Sequence, residues 1–136
     1  MTGSFPNIRL RRSRASGWSR ALHAETVLTP ADLIWPLFVT GGSNVQESIA
    51  TLPGVSRWSV DGIVSRAKEA VTLGIPVVAL FPNTPVETRS DNGDEAHNPD
   101  NLMCRAIRAI KDACGDDIGV LTDVCLLYTS PSPRDS

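Results

Sequence analysis

Asp123 sits near the C-terminal end of the apolar run Ile118–Leu126, where it is the sole carboxylate. An ionised carboxylate in such a run loses hydration that apolar neighbours do not replace, so it must be paired, hydrogen-bonded or functional. On residue type alone two readings stay open. Asp123 is either a structural group accepting backbone N–H bonds from a nearby loop, or a strand-end group able to hold a substrate ammonium or move a proton. Amine chemistry would need a lysine desolvated near the substrate, because only a neutral amine attacks a carbonyl to form a Schiff base. The chain has two lysines, Lys68 and Lys111. Both fall on the polar faces of amphipathic helices, so neither is assigned that role.

Cys104, Cys114 and Cys125 include no CxxC pair. On one helix, Cys104 and Cys114 would be separated by about 15 Å of rise, beyond the reach of a disulfide or a shared metal, and the pattern fits a reduced, intracellular protein. Asp91, Asp94, Glu95, His97 and Asp100 crowd one loop. They do not match the spacing of an EF-hand and read as a solvated acidic loop. Arg9, Arg11, Arg12, Arg14 and Arg20 all precede the first acidic residue, Glu25. This arm is locally basic, and Trp18 within it offers apolar area that favours docking somewhere.

These groups need a scaffold, and the chain supplies one by rhythm. The run from Asp32 through Val39 is strand-like, with Pro36 placing it at an edge, a bulge or an irregular stretch. Ser43 to Arg57, with a turn at Pro53 and Gly54, reads as a loop or short hairpin. Val60, Ile63, Val64, Ala67, Ala70 and Val71 recur at three- and four-residue steps, which predicts a helix from Ser59 to Leu73, with Ser59 as cap and Gly74 as stop. Ile75–Phe81 is a continuous β-branched run of the kind buried on both faces. After the polar connection Pro82–Asn98, a second helix is expected with Asn98 as cap and Pro99 at its first position, ending at Gly115. Strand, helix, strand, helix, strand is the pattern of a parallel α/β sheet. No glycine-rich turn follows the first or second strand, so a dinucleotide or P-loop site is not expected and a barrel is the better reading.

The chain's 136 residues suffice for one ordinary domain but not for a whole eight-stranded barrel. A net charge of −2 argues against a general polyanion or nucleic-acid binder. No run approaches the roughly 18 apolar residues of a membrane span, and the start has no apolar secretory core, so no membrane partner is expected and the location reads as cytoplasmic.

The blocks RRSRASGWSRALHAETVLTPADLIWPLFV from Arg11, SVDGIVSRAKEAVTLGIPVVALFP from Ser59, DNGDEAHNPDNL from Asp91, RAIRAIK from Arg105 and IGVLTDV from Ile118 resemble, in order, the N-terminal part of the porphobilinogen synthase (5-aminolevulinate dehydratase) family. The resemblance covers about residues 9–124. It implies a (β/α)8 TIM barrel of which this chain holds an arm, residues 1–28, and about three strands with two helices, residues 29–124. It also implies a lyase condensing two 5-aminolevulinate molecules to porphobilinogen in tetrapyrrole biosynthesis. A divalent metal, Mg or Zn, and a homo-octamer embraced by the N-terminal arms come with it.

By the same resemblance Asp123 matches the aspartate that contacts substrate near the metal, and Cys125 matches the first thiolate position of zinc-type members. Leu127 takes the second such position, and one thiolate does not make a zinc site. Tyr128–Ser130 follows one residue early and PSPRDS replaces the expected His-Gly, so residues 125–136 read as a foreign or truncated tail. The family's two Schiff-base lysines lie on later strands, so the chain alone is expected to be inactive. With its barrel open it is also expected to be poorly soluble or partly molten. The rival reading is a non-catalytic α/β interaction module whose basic arm binds an anionic partner.

Overall fold

The computed structural model describes Pro6 and residues 11–123, so Cys125 and the tail 125–136 lie outside the described residues. A short helix, α1 (Gly17–Leu22), sits in the arm. Strands β1 (Ile34–Val39), β2 (Gln46–Ser48), β3 (Ser56–Trp58), β4 (Val77–Pro82) and β5 (Gly119–Thr122) form one sheet in the order β2-β3-β1-β4-β5. β3, β1, β4 and β5 run parallel, and β2 returns antiparallel on β3 as the short hairpin the Pro53-Gly54 turn suggested. Helices α2 (Val60–Leu73) and α3 (Leu102–Cys114) cross between the parallel strands.

Pro36 does not put β1 at an edge. The strand lies inside the sheet, paired with β4 from Ile34 to Val39 but with β3 only at Phe38 and Val39. The Thr40 N–H donates to Trp58 O on the β3 side, and Val39 O accepts from Asn83 N–H on the β4 side. Backbone groups alternate sides every residue, so Pro36, like Thr40, faces the β3 side. At its level β3 is absent. The missing donor therefore breaks no ladder bond, and the strand tolerates a proline.

The first crossover helix keeps its predicted bounds. Gly74 closes α2 at φ 77°, donating to Ala70 O and Val71 O, a left-handed cap that a side chain would strain. Ser59 stands at the N-cap position, but its hydroxyl oxygen accepts from Val45 N–H at 2.9 Å and so ties the hairpin to the helix. The second helix starts later than expected. Asn98 accepts from Asp100 N–H in a tight turn, Pro99 lies within that turn, and Asn101 is the cap, its side chain accepting from Cys104 N–H at 2.8 Å. An asparagine that bonds its own backbone two residues on favours a turn over a helix start.

One face of the sheet is covered and the other is not. Leu37 and Val39 of β1, Val78 and Leu80 of β4, and Ile118 before β5 pack with Ile63, Ala67 and Ala70 of α2 and Leu102, Ala106 and Ile110 of α3. Each fully buried Leu or Ile there contributes about 1.5–3 kcal/mol of transfer free energy. The alternate residues Ile34, Pro36, Phe38, Val77, Ala79, Phe81 and Leu121 belong to the opposite face, outside this core. Ile34 is 53% and Leu121 45% exposed. In a closed barrel that face would line the interior.

The arm does not dock on this sheet. Trp18 is 75% exposed, and Leu22, Val27 and Leu28 are exposed with it, so the area Trp18 offers is unused within the described residues.

Candidate active-site end of the sheet

Asp123 follows β5 directly, one residue beyond the registered pair Leu80 and Thr122. That places it level with Phe81, on the open face shared with Leu121. Phe81 is itself paired with Phe38 of β1, and the two rings lie 5.7 Å apart between centroids with their planes inclined by 33°. An exposed carboxylate thus stands at the C-terminal ends of three parallel strands beside two half-buried phenyl rings. Carbonyl-end placement on a parallel sheet is where α/β barrels gather catalytic groups. A carboxylate flanked by aromatic faces suits an ammonium ion, which gains from both the charge and the ring quadrupoles.

The loops at this end are pinned by side chains. Asn44, in the β1–β2 connection at φ 55°, donates its N–H to both carboxylate oxygens of Asp61, at 3.2 and 3.0 Å. Hydrogen bonding from the Ser59 hydroxyl and from the backbone N–H groups of Asp61 and Asn44 holds the Asp61 carboxyl below the usual carboxylate range. In the connection after β4, Arg89 donates to Thr84 O at 3.2 Å. Ser90 and Asp94 hydrogen-bond reciprocally, hydroxyl to carboxylate at 2.9 Å and Asp94 N–H to hydroxyl at 3.0 Å. Arg108 reaches back from α3 to Pro99 O and Asp100 Oδ1 at 2.8 and 2.7 Å.

Part of the acidic loop is therefore occupied with its own backbone and neighbours. Among the described residues no three His, Cys, Asp or Glu side chains converge as metal ligands would. Neither lysine approaches Asp123 from the open face. Lys68 is exposed on α2. Lys111 donates to Gly115 O at 3.1 Å and Ile118 O at 2.9 Å, so its ammonium caps the carbonyl end of α3 and fixes the turn into β5. The sequence placed Lys111 correctly on an outer face. It did not show the capping role, although a basic residue in a helix's last turn is its usual signal.

Phe38, Phe81, Asn44 and Asp61 were not singled out from sequence. An acidic residue in the first turn of a helix is a recognised pattern, but its partner in a left-handed turn seventeen residues earlier carries no local signature. The pairing of the two phenylalanines follows only from the register of β1 and β4.

The family model described as Delta-aminolevulinic acid dehydratase matches residues 7–132. A protein of Bradyrhizobium diazoefficiens with that name is 52% identical over 119 residues, covering 88% of this chain and 33% of the relative. One from Chlamydia pneumoniae, likewise named, is 43% identical over 105 residues, covering 77% of this chain and 32% of the relative. The crystal structure of delta-aminolevulinic acid dehydratase (porphobilinogen synthase) from Toxoplasma gondii, in complex with its reaction product porphobilinogen, superposes with a TM-score of 0.82 at 37% identity. That match covers 91% of this chain and 35% of the other. The chain spans about a third of the length of these relatives.

Proposed function

The chain belongs to the delta-aminolevulinic acid dehydratase family, and we propose that it forms the arm and first three barrel strands of an enzyme condensing two 5-aminolevulinates into porphobilinogen. The observation that carries this reading is the position of Asp123 at the carbonyl ends of the parallel strands, level with Phe81. Its carboxylate holds a substrate ammonium at the barrel mouth, while Phe38 and Phe81 exclude water on one side and keep that contact strong.

The rest of the chemistry falls to other parts of the barrel. Lys68 and Lys111 are on helices of the outer layer and do not form the Schiff bases. The described residues do not fit a divalent metal site, so no step is routed through Mg or Zn here. Whatever part Cys125 has as a ligand lies outside the described residues.

The division into an arm at 1–28, a barrel part at 29–124 and a distinct tail at 125–136 belongs to this same reading, although the family match runs on to residue 132. So do assembly into homo-oligomers through the exposed arm and a cytoplasmic location. No helix among the described residues is long and apolar enough to cross a membrane.

Borohydride trapping with 5-aminolevulinate tests the assignment. A chain extended to the full length of the relatives is expected to give a reduced covalent adduct, and the 136-residue chain none. Absence of an adduct on the longer chain, or pyrrole formation by the 136 residues alone, would overturn it.

A further inference from the structure

The arm carries an arrangement that the barrel chemistry does not use. Ser13, Arg14, Arg20 and His23 line an open hollow of about 370 Å³ to which no carboxylate contributes. The sequence places no acidic residue before Glu25. Among the described residues, Arg57, Arg66 and Arg108 form ion pairs with Glu47, Glu69 and Asp100, but no arm arginine does.

Local hydrogen bonds hold the hollow's frame. The Ser19 hydroxyl donates to Ser13 O at 2.9 Å, and Ser19 is buried. Arg20 donates one Nη to Arg14 O at 3.0 Å, which leaves the rest of its guanidinium for another acceptor. The Nδ1 of His23 lies 2.8 Å from Ser19 O. A carbonyl only accepts, so Nδ1 carries the proton and Nε2 is the nitrogen left for a ligand.

We propose that this hollow is a binding site for a phosphate-type oxyanion. Two guanidinium forks, an imidazole and a hydroxyl offer more donors than a two-oxygen carboxylate can use, and a tetrahedral anion presents acceptors in several directions at once. Their positions are set before the ligand arrives, which lowers the ordering cost of binding.

Inorganic phosphate is the probe. It is titrated into the 136-residue chain at constant ionic strength, balanced with chloride, while the ring resonances of His23 are followed by NMR. Saturable binding is expected, with affinity about tenfold lower in Arg14→Gln and unchanged in Arg12→Gln. Arg14→Gln keeps the backbone carbonyl that receives Arg20, and the Trp18 indole signal reports whether α1 persists. Should that variant disturb α1, His23→Gln read by calorimetry serves instead, with weaker phosphate binding supporting the site and unchanged binding overturning it. Acetate at the same ionic strength is expected not to displace phosphate. A shift that never saturates, equal losses in Arg12→Gln and Arg14→Gln, or equal affinity for acetate would show general charge screening and overturn the proposal.

Discussion

Replacing Leu80 and Leu121 by alanine, one at a time, separates the two faces of the sheet with a single kind of deletion. Leu80 is fully buried against α2 and α3, whereas Leu121 is 45% exposed on the opposite face of the neighbouring strand. Leu80→Ala removes three buried carbons at about 0.8 kcal/mol each and leaves a cavity, so about 3 kcal/mol is expected. Leu121→Ala removes atoms that already touch solvent and leaves no cavity, so it should cost below about 1 kcal/mol. Backbone hydrogen exchange of α2 and α3 amides reads the opening free energy directly and does not require an all-or-none transition. In Leu80→Ala, exchange should accelerate more than about a hundredfold or protection vanish, while Leu121→Ala should stay within about fivefold of the parent. Equal effects of the two substitutions would mean that both faces are covered and that the sheet is not an open barrel segment.

Gly74→Ala places a Cβ at φ 77° and should destabilise α2 by about 1 kcal/mol, measured by the same exchange experiment. The Asp61 carboxyl is depressed in the folded chain, so its grip on Asn44 is complete above the unfolded carboxylate pKa and fails as pH falls through the lower folded value. The Asn44 amide resonance should therefore hold steady near neutrality and move only in acid, and a transition near pH 6 would contradict the contact. In the full-length enzyme, Lys68→Ala and Lys111→Ala should leave borohydride trapping of 5-aminolevulinate intact, with Lys111→Ala losing only the stability of the α3 cap. The bare face of Ile34, Pro36, Phe38 and Leu121 should make the isolated chain self-associate and bind a hydrophobic dye. A monomer with a sharp unfolding transition would contradict that expectation.

Periodicity carried most of the barrel part. The α2 stripe and the β-branched run after Gly74 are signals set by burial, and they appear as α2 and β4 with the bounds nearly unchanged. Pro36 misled about the edge because its cost depends on whether a neighbour stands at its own level, which is a property of the β3 register. Asn98 and Pro99 misled about the start of α3 because asparagine serves a turn and a cap equally well, and three further residues decided between them. Asp123 was legible as an isolated carboxylate in an apolar run. Its neighbours Phe38 and Phe81 were not, since their pairing is made across strands separated by a helix.

Steady-state porphobilinogen formation by the full-length enzyme carrying Asp123→Asn tests most directly the place given to this carboxylate. With the ammonium contact gone and the fold retained, kcat/KM should fall by about a hundredfold or more. Turnover matching the parent enzyme would show that Asp123 is a structural residue and that the substrate is held elsewhere.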